Sequence, residues 1–386
     1  MTAARTRVAA LAVRHDRQEK HVQLPILRRM GASTAAQRQR ATASPNYRDG
    51  EFRSHEPTHV VATSEAEGPG SILATMVREF GRGRPRGTVP LVTPRHPHEP
   101  ADLAVTWYGH ATSVLELDGR RFLLDPVFGR RASPSVVAGP KRLHPVPGRI
   151  AEIPRLDAVV ISHDHYDHLD EPSIMQLERT HRPHYVVPLG VDEHLRSWGV
   201  PTGRITSLDW REETEVAGIR ITCSEARHFS GRGFVRNQTL WAAWSLRGPR
   251  HAVFFGGDSG PTHRYADIGA DLGPFDLTIL PIGAYSVHWP DIHLNPEEAI
   301  DAHLDVNKGE TGSVMLPIHW ATFNLSTHWW SEPIRRARRA AAERGVRLVS
   351  PRVGTRIQLS DNEIDEVVAA HQDPWWESCA DPEDHD

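Results

Sequence analysis

The sequence predicts an α/β fold in one domain of roughly 260 residues. Three observations carry this. Apolar runs of strand length recur between residues 103 and 359. Helical patterns with recognisable start signals interleave with them. A cluster rich in His and Asp directly follows one of the apolar runs, where α/β domains build their sites.

Composition frames the reading. The chain has 386 residues, 39% hydrophobic and 24% charged, which is a globular profile. No apolar run approaches the ~18 residues of a membrane span. The first residues are short in apolar side chains, and Arg14, Asp16 and Arg17 follow, unlike a signal peptide. The expectation is a cytoplasmic protein whose membrane contact, where there is any, is peripheral. Cys223 and Cys379 form no metal or redox spacing, so any metal is held by His and carboxylates. There are 24 His to draw on.

Charge is uneven along the chain. Residues 1–60 hold eleven basic and five acidic residues, whereas residues 361–386 hold ten acids and no Lys or Arg. Residues 1–45 are expected to be a disordered or loosely packed basic leader, and residues 361–386 a solvated, mobile acidic tail. Residues 46–100 read as an N-terminal extension, extended or irregular as far as residue 70. Within it, Ile72, Leu73, Met76, Val77 and Phe80 share one helical face, which predicts an amphipathic helix over 71–80.

The compact domain then spans 101–360. Strands are expected at 103–107 and 113–117. Asp118-Gly119 turns the second into a partner at 121–124. A Pro/Gly-rich loop fills 126–148. A buried strand at 157–162 precedes a helix opening at Glu171. Further strands fit 185–187, 219–222, 240–246, 251–255, 277–280 and 313–316, with terminal strands inside 346–359. Asn295-Pro296-Glu297-Glu298 is an N-cap, a first-turn Pro and an acidic first turn, so a helix runs on through His303. Another covers 333–345.

The chemistry starts at Ser162-His163-Asp164-His165-Tyr166-Asp167-His168. Three imidazoles and two carboxylates within six residues repel one another when protonated and add little to a core. Bound metal resolves this, because neutral imidazole and carboxylate suit zinc. Alternation lets His163 and His165 face one ion, and Asp167 and His168 a second. His228, Asp258 and His319 each lie just beyond an apolar strand and are the candidates to complete two sites.

The pattern His163-x-His165-x-Asp167-His168 with His228, Asp258 and His319 resembles the metallo-β-lactamase superfamily. Thr106 to Thr112, Leu124-Asp125-Pro126, Gly273-Pro274-Phe275-Asp276 and Ile318-His319-Trp320 are similar to the N-acylphosphatidylethanolamine-hydrolysing phospholipase D family and its bacterial relatives. The resemblance implies a four-layer αββα sandwich. It implies His163, His165 and His228 on one zinc, Asp167, His168 and His319 on the other, and Asp258 between them. Asp167, Asp258 and His293 are then the candidate catalytic residues, and His110 and Asp125 orient the metal-binding side chains.

The expected activity is dinuclear zinc hydrolysis of a phosphodiester in an N-acyl phospholipid-like substrate, through a hydroxide generated between the metals. Iron or manganese fits the same donors. The same centre suits a lactone or β-lactam. A nuclease is the weakest enzymatic alternative, because the domain is acidic and shows no basic-aromatic platform. A homodimer is expected by resemblance alone. Trp289, Leu294, Trp320, Phe323, Trp329 and Trp330 are candidates to line an acyl channel.

Overall fold

The computed structural model describes residues 42–60, 82–233, 235–360 and 362–384. The helix expected over 71–80 and most of the basic leader lie outside these residues. A short hairpin, β1 (Tyr47–Arg48) and β2 (Glu51–Phe52), opens the described chain. Just before it, Ser44 and Asn46 are buried, and their side chains donate to the Asp209 carboxylate at 2.6 and 2.7 Å.

The next strands are β3 (Leu103–Gly109), β4 (Thr112–Leu117), β5 (Arg120–Leu124), β6 (Ala158–Val160), β7 (His184–Pro188) and β8 (Ile205–Leu208). With β16 (Arg356–Gln358) they form one sheet in the order β16-β3-β4-β5-β6-β7-β8. Asp118 and Gly119 sit at φ 47° and 75°, both left-handed, which is what a two-residue turn between β4 and β5 requires. The inner parallel strands β6 and β7 are apolar along most of their length and buried, as strands covered on both faces are.

A second sheet runs β15-β14-β13-β12-β11-β10-β9. Its strands are β9 (Glu213–Val216), β10 (Ile219–Ser224), β11 (Ala243–Arg247), β12 (Ala252–Phe255), β13 (Leu277–Pro281), β14 (Val314–Ile318) and β15 (Arg347–Leu348). Strand alternation divides the interior. Leu115, Phe122 and Val160 join the core shared with the second sheet. Val114, Leu123 and Val159 face out against helices α1 (Glu171–Thr180) and α2 (Val191–Ser197). Helices α3 (Arg264–Leu272), α4 (Pro296–Val306) and α5 (Glu332–Arg344) cover the second sheet. The result is the expected αββα sandwich.

Local sequence explains the helix starts. Asn295 and Glu298 close a reciprocal capping box on α4, with Pro296 in the first turn. Asp170 caps α1 by accepting from the Ser173 N–H. Helices α2 and α3, which the sequence did not predict, start without a side-chain cap.

The acidic tail is a correction. Among the described residues, 362–384 do not form a loose, solvated end. Helix α6 (Ile364–Ala370) and the 3-10 turn Trp375–Cys379 fold back, and Trp375, Trp376 and Cys379 are buried. The Trp375 ring lies 5.4 Å from Trp320 and 6.2 Å from Trp330. Tail acids pair with arginines of the domain: Glu377 with Arg335, Asp381 with Arg86, and Asp373 with Arg352. Net composition hid the apolar anchor inside the acidic run. No helix among the described residues is long and apolar enough to cross a membrane.

Candidate metal centre

Every predicted ligand lies on a loop that leaves a strand end at one edge of the sandwich. Residues 163–168 follow β6 in the first sheet. His228 follows β10, Asp258 follows β12 and His319 follows β14, all in the second. Gly257, at φ 56°, lets the chain turn there; a Cβ would meet the Ser162 Cβ at 2.6 Å. His110, Asp125 and His319 also hold left-handed backbone, at φ 53°, 39° and 64°. Such strained positions persist where the surroundings over-determine them.

The structure brings all seven predicted ligands together in two sets. In the first, the His165 Nδ1 lies 2.8 Å from the His163 Nε2 and 3.3 Å from the His228 Nε2. In the second, the His168 Nε2 and His319 Nε2 are 3.2 Å apart. The Asp167 Oδ2 is 3.5 Å from the former and 3.3 Å from the latter. One atom joins the sets. The Asp258 Oδ2 lies 3.1 Å from both His168 and His319, 3.8 Å from the His228 Nε2 and 4.0 Å from the His163 Nε2.

Neighbouring groups fix which ring nitrogen faces the centre. The His228 Nδ1 lies 2.8 Å from the Ile292 carbonyl oxygen, which only accepts, so the proton is on Nδ1 and Nε2 presents its lone pair. The Asp125 Oδ2 takes the same role for the His168 Nδ1 at 2.6 Å. Asp125 is itself held by the Ser162 N–H at 2.7 Å and the Ser162 hydroxyl at 2.5 Å. The His110 Nε2 sits 2.8 Å from the Asp167 Oδ2.

The electrostatics fit bound cations. Burial and the facing imidazoles hold His163 well below the ordinary histidine range, and burial does the same for His228, so both rings are neutral donors. Burial alone would raise Asp258 and Asp167, yet the facing His rings outweigh it and keep both ionised. Burial works against a charge on His319, but Asp258 and Asp167 push it up to about 9. The two carboxylates thus demand positive charge at these nitrogens, which a metal ion supplies. The Asp258 Oδ1 points the same way: it is buried and has no hydrogen-bond partner among the described residues.

His293 also reaches the centre. Its Nδ1 is 3.9 Å from the Asp258 Oδ2, and its ring lies 5.1 Å from that of His228. Burial draws it down to about 4, so it is neutral at physiological pH. A cavity of about 360 Å³ opens beside it.

One correction and one further observation concern neighbouring residues. The expected acyl channel is absent from this cavity. Trp320, Trp330 and Leu294 are core residues, and Trp320 stacks on Trp107 at 5.6 Å. Asp164 does more than space the motif. Its Oδ1 accepts the Gly231 N–H at 2.7 Å, and its backbone oxygen accepts from Arg232 at 2.8 Å, tying the first loop to the one that follows His228. Its place inside the motif was the available signal.

His110→Ala is expected to weaken metal binding by on the order of 10–100-fold, because Asp167 then loses the group that fixes its carboxylate. Competition of the metal-loaded protein against a chelator measures this. Unchanged affinity would remove His110 from the orienting role.

Known proteins are similar to this chain in sequence and fold. The family model described as a beta-lactamase superfamily domain matches residues 120–320. An uncharacterized protein of Mycobacterium tuberculosis is 47% identical over 348 residues, 90% of this chain and 91% of that one. The N-acyl-phosphatidylethanolamine-hydrolyzing phospholipase D 1 of Caenorhabditis elegans is 36% identical over 249 residues, 61% of this chain and 69% of that protein. Among solved structures, an isothiocyanate hydrolase from Delia radicum gut bacteria superposes with a TM-score of 0.53 at 18% identity, over 67% of this chain and 99% of that one. With the fold, the two ligand sets and these relatives together, the chain belongs to the metallo-β-lactamase superfamily of metal-dependent hydrolases.

Proposed function

We propose that this chain is a dinuclear zinc phosphodiesterase of phospholipase D type acting on a phospholipid-like substrate, N-acyl phospholipids being the first to test. The observation that carries the reading is the single Asp258 oxygen facing both ligand sets, which suits two ions sharing one carboxylate. Two bound ions would supply Lewis-acid activation of a phosphoryl oxygen and of water. The relative from Caenorhabditis elegans lends the substrate class by its name. Iron or manganese would suit the same His and Asp donors.

The side chains divide the work. Asp125 and His110 hold His168 and Asp167 in place. His293, neutral and with an unpartnered Nδ1, is placed to donate a hydrogen bond to charge developing on the substrate. Burial lowers its pKa to about 4, so at neutral pH the ring is uncharged and offers its single N–H to that charge. Val136, Val137 and Val287 are 75%, 78% and 84% exposed. Val287 borders the cavity beside His293, and Val136 borders a second cavity beside Tyr166.

The test compares phosphatidylethanolamine and N-acylphosphatidylethanolamine in mixed micelles with a chromogenic β-lactam and a homoserine lactone. Lipid diester cleavage to phosphatidic acid, lost with chelator and restored by zinc, is the expected result. Faster turnover of lactam or lactone would overturn the phosphodiester reading.

A further inference from the structure

Three loops meet behind the metal centre at one acidic side chain. Arg227 precedes His228, Ser259 and Gly260 follow Asp258, and Asp291 stands two residues before His293. The Asp291 carboxylate is only 16% exposed, and both of its oxygens are engaged. Oδ1 lies 2.8 Å from the Arg227 guanidinium. Oδ2 accepts the His59 backbone N–H at 2.9 Å. It also lies 2.8 Å from the His59 Nδ1, which therefore carries the ring proton. Burial alone would raise this carboxyl, yet the His59 amide and ring and the Arg227 guanidinium hold it below the usual carboxylate range.

The segment that Asp291 begins presents two groups to the centre. The Ile292 carbonyl oxygen fixes the His228 ring, and the His293 Nδ1 comes within 3.9 Å of the Asp258 Oδ2. The far end is pinned where the Leu294 N–H donates to the Ser259 carbonyl at 2.8 Å. The near end rests on Gly260, where a Cβ would collide with the Asp291 carbonyl oxygen. The N-terminal extension crosses all three loops. The Ser54 hydroxyl donates to the His228 carbonyl at 3.4 Å. Glu56 accepts the Thr262 hydroxyl at 2.5 Å and lies 2.8 Å from the His263 Nδ1. The Pro57 carbonyl accepts from Arg227, and His59 reaches Asp291.

We propose that Asp291 is a positioning residue of the metal centre: clamped between Arg227 and His59, it holds the Ile292 carbonyl against His228 and His293 beside Asp258. The N-terminal extension is thereby part of the metal-binding architecture, although it supplies no ligand. The assignment rests on two-metal binding and is independent of the substrate. Its effect is directional. His228 belongs to the set with His163 and His165, so loosening its ring weakens one ion and spares the ion held by Asp167, His168 and His319.

Competition of the full-length, zinc-loaded protein against a chelator tests this. Asp291→Ala is expected to release one of the two ions on the order of tenfold more readily and to leave the other within about twofold of the parent. In the cobalt(II) form, the visible bands of the weakened site are expected to shift, since they report donor geometry. Asp291→Asn keeps the volume and one acceptor oxygen, so it is expected to lie between, at about threefold. It is the variant to read where the alanine does not fold. Asp102→Ala is the control: it breaks an ion pair with Arg250 at the opposite edge of the sandwich and is expected to change neither ion. Parental affinity for both ions, or an unshifted cobalt spectrum, would overturn the assignment. So would an equal loss at both ions together with a lowered unfolding midpoint of the metal-free protein, which marks a purely structural role. A parent that binds no zinc overturns the metal centre itself, so the two failures are distinct.

Discussion

Asp258→Asn is expected to lower phosphodiester turnover by about three orders of magnitude and to cut metal content below two per chain. The substitution keeps the shape and removes the charge. The Asp258 Oδ2 is the atom that faces His168, His319, His228 and His163 within 3.1 to 4.0 Å, so no other side chain substitutes for it. It is also one of the two carboxylates that make positive charge favourable among these rings. Elemental analysis of the purified protein, read with bis(p-nitrophenyl) phosphate turnover, checks both parts. Two metals per chain with undiminished turnover in the variant would end the idea of a shared carboxylate.

The second large effect lies far along the chain. Trp375→Ala and Trp376→Ala are each expected to destabilise the fold by about 3–5 kcal/mol, the range for emptying a buried aromatic site. Both indoles are almost fully buried, at 4% and 2% exposure. They pack on Trp320, 5.4 and 5.9 Å from its ring, and Trp320 is the residue after His319. Metal affinity should therefore fall together with stability. Urea unfolding of each variant, beside Val287→Ala as a surface control within about 0.5 kcal/mol of the parent, gives the measurement. A variant lacking residues 361–386 that unfolds at the parental midpoint would show that the tail is dispensable.

The contrast between these two regions shows what the sequence displays and what it conceals. The seven ligand candidates were legible because each follows an apolar strand, and a strand end fixes where the next residue can go. The start of α4 was legible because Asn295, Pro296 and Glu298 each have a local reason to be there. Helices α2 and α3 lack such caps and declare themselves only by packing. The tail was misread because ten acids dominate its composition, while its burial depends on two indoles finding Trp320 across the fold. The aromatic residues around His319 were misassigned for a related reason. Closeness in sequence does not reveal which face of a loop meets the core. The cavity beside His293 draws Tyr285, Glu298 and Glu332 from separate segments, so the sequence alone does not assemble its lining.

The distribution of ligands over the sheets has a consequence for how the protein matures. The first sheet supplies His163, His165, Asp167 and His168, and the second supplies His228, Asp258 and His319. Neither half owns a complete site. A chain whose sheets have met in the wrong alignment has no place to hold an ion tightly, whereas the correctly docked sandwich does. A bound ion would therefore act as a check on assembly: it would add free energy to the one arrangement of the two halves that brings both ligand sets together.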